Sequence, residues 1–274
     1  MGKHTSCREK YWAAIRLASI MCCYTLAALP ANPAVAASEL HPGIVGTDDR
    51  VPVKDNDERW QAIGQVNIGG YRTRSICTGT LIGPNLVLTA AHCVTDPAKK
   101  TPFRLENIHF SAGVHRDGSL GHATAACVKF PPGFHYSGEE RLLPDLPFAR
   151  LPLQKLKRDL ALIVLAHDIK GVVPVITTDG TAVTAGVAVT HAAYPADRRF
   201  ILSVHGNCKV LDRNADFIAT DCDTHAGSSG GPLFLEQGGK LQVFAVLSGV
   251  VAETASIFIP LSNWPGLPRD RECP

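Results

Sequence analysis

Gly227-Ser228-Ser229-Gly230-Gly231-Pro232 runs directly into an apolar stretch at 232–235. Glycine lets a backbone turn tightly and point its N–H groups outward, so this segment reads as a serine held on a sharp loop. Serine is a weak nucleophile until a base takes its proton, and the base works only when a third group, usually a carboxylate, orients it. Two upstream patterns supply those parts. Thr89-Ala90-Ala91-His92-Cys93 places a histidine at the end of an apolar run, and Arg158-Asp159-Leu160-Ala161-Leu162 places a carboxylate directly before a run that reads as a buried strand. Attack on a carbonyl creates a negative oxygen, and removing one N–H that binds it costs about 2.7–4 kcal/mol. The amides of Gly227 and Ser229 are the natural donors. Each part alone has a plainer reading: a structural histidine, a capping carboxylate, a Gly/Ser loop. Together they read as one chemistry.

The rest of the chain reads as all-β. Short apolar runs, many rich in Val, Ile, Phe and Thr, lie at 62–68, 79–82, 86–91, 160–166, 172–177, 183–190, 200–204, 217–219, 241–247 and 256–259. Turn residues such as Gly83-Pro84-Asn85 and Gln237-Gly238-Gly239 separate them. Strands at this spacing suggest barrels or sandwiches. Residues 95–158 carry many prolines and read as irregular, with a short helix near 151–156. His109, His115, His122 and His135 lie in this region and read as surface residues.

The first residues read as an export signal. Lys3, Arg8, Lys10 and Arg16 face the single acid Glu9, an uncharged apolar run fills 17–29, and Ala34-Val35-Ala36-Ala37 offers small residues for cleavage. Thirteen apolar residues fall short of the roughly 20 that a membrane span needs. Cys22 and Cys23 raise a lipid-anchor alternative, but Ser19-Ile20-Met21 does not end in the small residue expected there. Removing residues 1–36 takes four basic residues and one acid from totals of 27 and 25. That leaves 23 and 24, a net charge of −1 in place of +2. Neither value favours nucleic acid as a partner. Nine cysteines become six: Cys77, Cys93, Cys127, Cys208, Cys222 and Cys273. An even number in an exported chain reads as disulfides.

With these residues in place the chain resembles the trypsin/chymotrypsin superfamily of serine endopeptidases. The order His92, Asp159, Ser229 matches that family's histidine, aspartate and serine. The segment from Ile76-Cys77-Thr78-Gly79-Thr80-Leu81-Ile82 to Ala90-Ala91-His92-Cys93 resembles its histidine region, where a cysteine at the spacing of Cys77 closes a disulfide with the one after the histidine. Gly46-Thr47-Asp48-Asp49-Arg50 and Trp60-Gln61-Ala62-Ile63-Gly64 resemble the bacterial glutamyl-endopeptidase-like branch. The resemblance covers most of 44–260. It implies two antiparallel six-stranded β-barrels with the active site in the cleft between them. On that reading 1–36 is a signal peptide and 37–43 a short leader or propeptide remnant. The first barrel spans 44–169 with His92 and Asp159, and the second spans 170–274 with Ser229. The implied protein is a secreted or periplasmic monomer acting on polypeptides, with no cofactor, metal, nucleic acid or membrane attachment after cleavage.

The resemblance also carries departures. In the trypsin branch a new amino terminus pairs with an aspartate immediately before the nucleophile, whereas here that residue is the uncharged Ser228. A buried ammonium without a carboxylate is costly, which argues against that switch. Asp223, six before Ser229, falls at the base of the primary pocket, where a carboxylate favours Arg or Lys; a second reading makes it a structural carboxylate bonded to loop N–H groups. Thr224 resembles the pocket threonine of glutamyl endopeptidases, yet their pocket histidine falls near Val246, where this chain has none. Leu247, Ser248 and Gly249 are expected to form the edge that pairs with extended substrate.

The same residues admit three competing readings. A nucleophile elbow of the α/β-hydrolase kind needs a histidine after the serine, and the last histidine here is His225. His205-x-x-Cys208 with Cys222-x-x-His225 mimics a zinc spacing, but export favours a Cys208–Cys222 disulfide, which leaves Cys127 and Cys273 for each other. A non-catalytic binding protein on the same scaffold commonly lacks a triad member, whereas all three are present here.

Overall fold

The computed structural model describes residues 43–54, 57–69, 75–116, 118–136 and 153–273. The expected signal peptide and residues 37–42 lie outside the described residues, as do Cys7, Cys22 and Cys23.

Six strands close the first barrel: β1 (Ile63–Ile68), β2 (Ser75–Gly83), β3 (Leu86–Thr89), β4 (Ile108–Ala112), β5 (Gly121–Lys129) and β6 (Ala161–Leu165). They pair antiparallel in the cyclic order β1-β2-β3-β6-β5-β4. Closure leaves no free sheet edge. In β4, Ile108, Phe110 and Ala112 are buried while His109 and Ser111 are less so, the period of two expected of a strand with one face inward. Val66, Leu81, Leu88, Phe110 and Leu162 are fully buried in this core. Each such side chain is worth about 1.5–3 kcal/mol on burial.

The second barrel consists of β7 (Ala188–Ala193), β8 (Ser203–Arg213), β9 (Ile218–Thr220), β10 (Pro232–Gln237), β11 (Lys240–Val251) and β12 (Ala255–Pro260). It closes through β7-β10-β11-β12-β9-β8, again all antiparallel. Two short pieces dock on its outside: Val51–Pro52 along β8 and Ile176–Thr177, parallel, along β11. Val210, Ile218, Leu233, Phe244 and Phe258 fill its core.

The all-β expectation and the two six-stranded barrels hold. Two barrel strands, β4 and β5, arise where the sequence reads as irregular. Their residues explain the miss: β5 reads Gly-His-Ala-Thr-Ala-Ala-Cys-Val-Lys, with few large or β-branched side chains to announce a strand. β8 is also far longer than the apolar run at 200–204, because a bulge and the positive φ of Asn207 (61°) carry it through a polar stretch. The helix near 151–156 is a 3₁₀ segment, Leu153–Arg158. The six cysteines pair as Cys77–Cys93, Cys127–Cys273 and Cys208–Cys222, which excludes the zinc spacing as a metal site in this state.

Candidate active site

β3 ends at Thr89 and the chain turns into a single helical turn, Ala91–Val94, that carries His92. Asp159 follows the 3₁₀ segment and donates its N–H to the Leu156 carbonyl across 2.8 Å, immediately before β6. Because β3 and β6 pair with Thr89 opposite Ala161, the two residues emerge side by side at one end of the barrel. The His92 amide donates to Asp159 Oδ1 at 2.9 Å, and the ring nitrogen Nδ1 lies 2.7 Å from Oδ2. A proton on Nδ1, shared with the carboxylate, leaves Nε2 unprotonated and able to act as a base.

Asp159 is only 1% exposed. Burial opposes its charge, but the attraction of His92 and hydrogen bonds from His92 and Ser248 hold its pKa below the ordinary carboxylate value. Ser248 Oγ donates to Oδ2 at 2.5 Å. Ser248 therefore joins the carboxylate's support, a role the sequence reading assigned to substrate instead.

The nucleophile loop is fixed from both barrels. Thr78 of β2 donates its N–H to the Ser229 carbonyl at 2.7 Å. Thr78 Oγ1 donates to the Gly227 carbonyl and accepts from the Tyr194 amide, both at 3.0 Å. Gly230 adopts φ +81°, and a Cβ there would lie 2.2 Å from both Thr78 O and Thr89 Oγ1, and 3.1 Å from Ala90 N. Only glycine fits, and the fit places the residue after Ser229 against the backbone two positions before His92. Gly227 adopts φ +92°. Among the described residues, neither Gly227 N–H nor Ser229 N–H donates to another backbone group, so both remain available.

The proposed substrate-binding residues behave differently. Asp223 is fully buried, and its two oxygens accept from the amides of Val45 at 2.8 Å and Asp49 at 2.7 Å. Its carboxylate faces the incoming chain at 43–49 rather than solvent. Burial works against its charge, yet His205 and the two amides lower its pKa. This placement matches the structural alternative, a carboxylate bonded to loop N–H groups. Thr224 is buried too, its amide donating to Gly43 O at 2.7 Å and its hydroxyl 3.1 Å from that of Ser256. Leu247 is corrected as a substrate edge: its N–H donates to Gly231 O, and its carbonyl accepts from Gly230 N. From Ser248 onward β11 pairs with β12 alone among the described residues, so Ser248 and Gly249 remain at an edge.

Asp49, His205 and Asp223 cluster closely enough to suggest a cation site. Two of the three are already engaged: the Asp223 oxygens take two amides, and His205 Nδ1 accepts from Asp223 N–H at 2.8 Å. The set does not fit a metal. The sequence reading missed Thr78, whose hydroxyl is one of many in a strand pattern, and Arg50, whose partner Asp197 lies 147 residues away.

Two closed barrels with a histidine–carboxylate pair facing a glycine-rich serine loop define the chymotrypsin-like class. A family model described as trypsin-like peptidase domain matches residues 77–242. The chain belongs to that family and is a serine endopeptidase acting on polypeptides. Among solved structures, a Glu endopeptidase in complex with MPD matches with a TM-score of 0.63 and 22% identity, covering 79% of this chain and 93% of that one. At that identity the likeness establishes the fold. No curated protein sequence matches this chain significantly.

Proposed function

We propose that Ser229, His92 and Asp159 form the catalytic triad of an exported endopeptidase. Ser229 Oγ attacks the peptide carbonyl carbon as His92 Nε2 takes its proton, and the Gly227 and Ser229 amides bind the resulting oxyanion. Collapse breaks the C–N bond, with His92 returning the proton to the leaving amine. Water, deprotonated by His92, then hydrolyses the acyl-enzyme and regenerates Ser229. Asp159 holds the imidazole in its working tautomer and stabilises its charged form. Ser248 and Gly249 supply the edge for extended substrate backbone.

The observation that carries this reading is the pair of hydrogen bonds from His92 to Asp159 beside a loop whose Gly230 fits against Ala90. Secretion or a periplasmic location rests on the export-like first 36 residues and on the disulfides. Among the described residues no helix is long and apolar enough to cross a membrane. The mature enzyme acts as a monomer on polypeptides, without nucleic acid or membrane attachment.

A fluorophosphonate probe tests the triad. Labelling of the folded wild type, lost in Ser229→Ala, is the expected result. A folded wild type that neither labels nor cleaves a peptide library would leave the binding-protein reading in its place. The same library reports the residue preferred at the cleaved bond.

A further inference from the structure

Residues 43–53 run across the second barrel and are tied to it by a series of hydrogen bonds and ion pairs. Gly43 N–H donates to Ala252 O at 2.8 Å, and Gly43 O accepts from Thr224 N. The Val45 and Asp49 amides close on the two oxygens of Asp223. Arg50 has only 5% of its side chain exposed and lies between Asp48 and Asp197, each at 2.8 Å. Arg198 donates to Arg50 O at 2.8 Å and to Asp48 at 2.9 Å. A short pairing of Val51 and Pro52 with β8 completes the docking.

These contacts converge on one object. Asp223 and Thr224 open the loop that leads to Ser229. Asp197 belongs to the 3₁₀ turn Ala196–Arg198, and the Ala196 amide donates to Ala226 O at 2.6 Å, near the loop's other end. The same turn crowds Gly227, where a Cβ would meet Tyr194 O at 2.8 Å and Ala196 N at 3.1 Å. The arm therefore grips the nucleophile loop at 223–224 directly and at 226–227 through Arg50 and Asp197.

We propose that residues 43–50 are a clamp that sets the nucleophile loop in its working conformation, with Asp223 and Arg50 as the positioning residues at its two jaws. The clamp rests on the reading of Ser229 as nucleophile and of Gly227 as an oxyanion donor. It supplies what Ser228 cannot: a buried carboxylate tied to the incoming chain, satisfied by two internal amides in place of a terminal ammonium. Positioning through a hydrogen-bonded arm affects the transition state more than substrate affinity, because the oxyanion donors engage fully only as charge develops.

The test uses the full-length exported protein with Asp223→Asn, Arg50→Met and the double variant. Each single change is expected to lower kcat and the fluorophosphonate labelling rate by about 10- to 100-fold with KM little changed, less than outright loss of an oxyanion donor plus its base. Because both jaws hold one arm, the double variant is expected to fall little below the worse single one, a non-additivity that independent structural losses do not give. Hydrogen exchange at the amides of 224–231 is expected to speed up in every variant. Should Asp223→Asn fail to fold, Gly43→Ala provides the same release, since its Cβ would meet Thr224 Oγ1 at 2.7 Å with both charges intact. Unchanged kcat and unchanged exchange in the folded variants would overturn the clamp, as would a rise in KM alone for Asp223→Asn. Failure of the wild type to label overturns the triad instead, and the exchange measurement still decides the clamp.

Discussion

The Thr78 amide donates to the Ser229 carbonyl across 2.7 Å, so a strand of the first barrel holds the backbone of the proposed nucleophile in the second. The Thr78 hydroxyl works beside it, taking the Tyr194 N–H and giving its proton to Gly227 O. Thr78 is fully buried. One residue thus joins the strand that pairs toward His92, the end of β7 and the nucleophile loop.

Thr78→Val keeps the shape and the backbone donor but leaves the Tyr194 amide and the Gly227 carbonyl without a side-chain partner. A buried group left unsatisfied costs about 1–3 kcal/mol, so the urea midpoint is expected to fall accordingly. Because one orphan is the carbonyl of Gly227, the proposed oxyanion donor, kcat is expected to drop with it. A fall in stability with wild-type kcat would show that the hydroxyl serves the barrel contact alone.

Asp159→Asn removes the charge beneath His92 while leaving the shape. With its oxygen toward the His92 ring and Ser248, the amide turns its NH2 on the His92 backbone N–H that Oδ1 accepted; flipped, it points the NH2 at the ring and drives the imidazole toward the wrong tautomer. In chymotrypsin-type enzymes the same aspartate-to-asparagine change costs about 10⁴ in kcat, and a loss of that order is expected here. Ser248→Ala removes one of several supports and is expected to cost far less. The Asp159 pKa is held below the ordinary 3.8, so the pair's stabilisation is complete above that value and is lost as pH falls below it. The kcat of the three proteins measures the first effect, and urea unfolding against pH measures the second.

Much of this arrangement was legible because it is written locally. The serine loop, the histidine turn and the carboxylate before β6 each occupy a handful of consecutive residues, and chain order joins them. What escaped is non-local or chemically quiet. Asp223 looks the same in sequence whether it faces a pocket or two amides 174 and 178 positions away. Leu247 reads as an exposed edge until Gly230 and Gly231 fold back on it. β5 hides because alanine, glycine and lysine carry no strand preference, and its place in the ring is settled by β4 and β6 on either side.

Cys208 and Cys222 close a loop with a sequence separation of 14, and Cys222 adjoins the clamp residue Asp223. Loss of a disulfide of this loop size is expected to cost about 3 kcal/mol. Replacing both cysteines with alanine should lower the melting temperature and loosen the Asp223 contact with the arm, read as faster cleavage near 43–50 by an added protease. Treatment with a chelator should change neither. Loss of activity with chelator but not with reductant would revive the zinc reading of His205-x-x-Cys208 and Cys222-x-x-His225.

His191 lies beneath the nucleophile loop, where a Cβ on Gly231 would come within 2.8 Å of its Cε1. Its Nδ1–H donates to Pro232 O at 2.9 Å, while Nε2 is buried with no hydrogen-bond partner among the described residues. Burial, with the nearby His205 and Arg50 adding to it, pushes the pKa down to about 4 from 6.5. The folded value is the depressed one, so the unfolded chain binds the extra proton between these limits. Stability is therefore complete above pH 6.5 and declines as pH falls toward 4, by up to about 1.4 kcal/mol per pH unit and about 3 kcal/mol in all. Urea unfolding between pH 7 and 4 should show this slope, and His191→Phe should flatten it whatever its effect on absolute stability. An unchanged slope in that variant would place the acid sensitivity elsewhere, and an imidazole signal titrating near 6.5 in the folded protein would contradict the neutral, buried state directly.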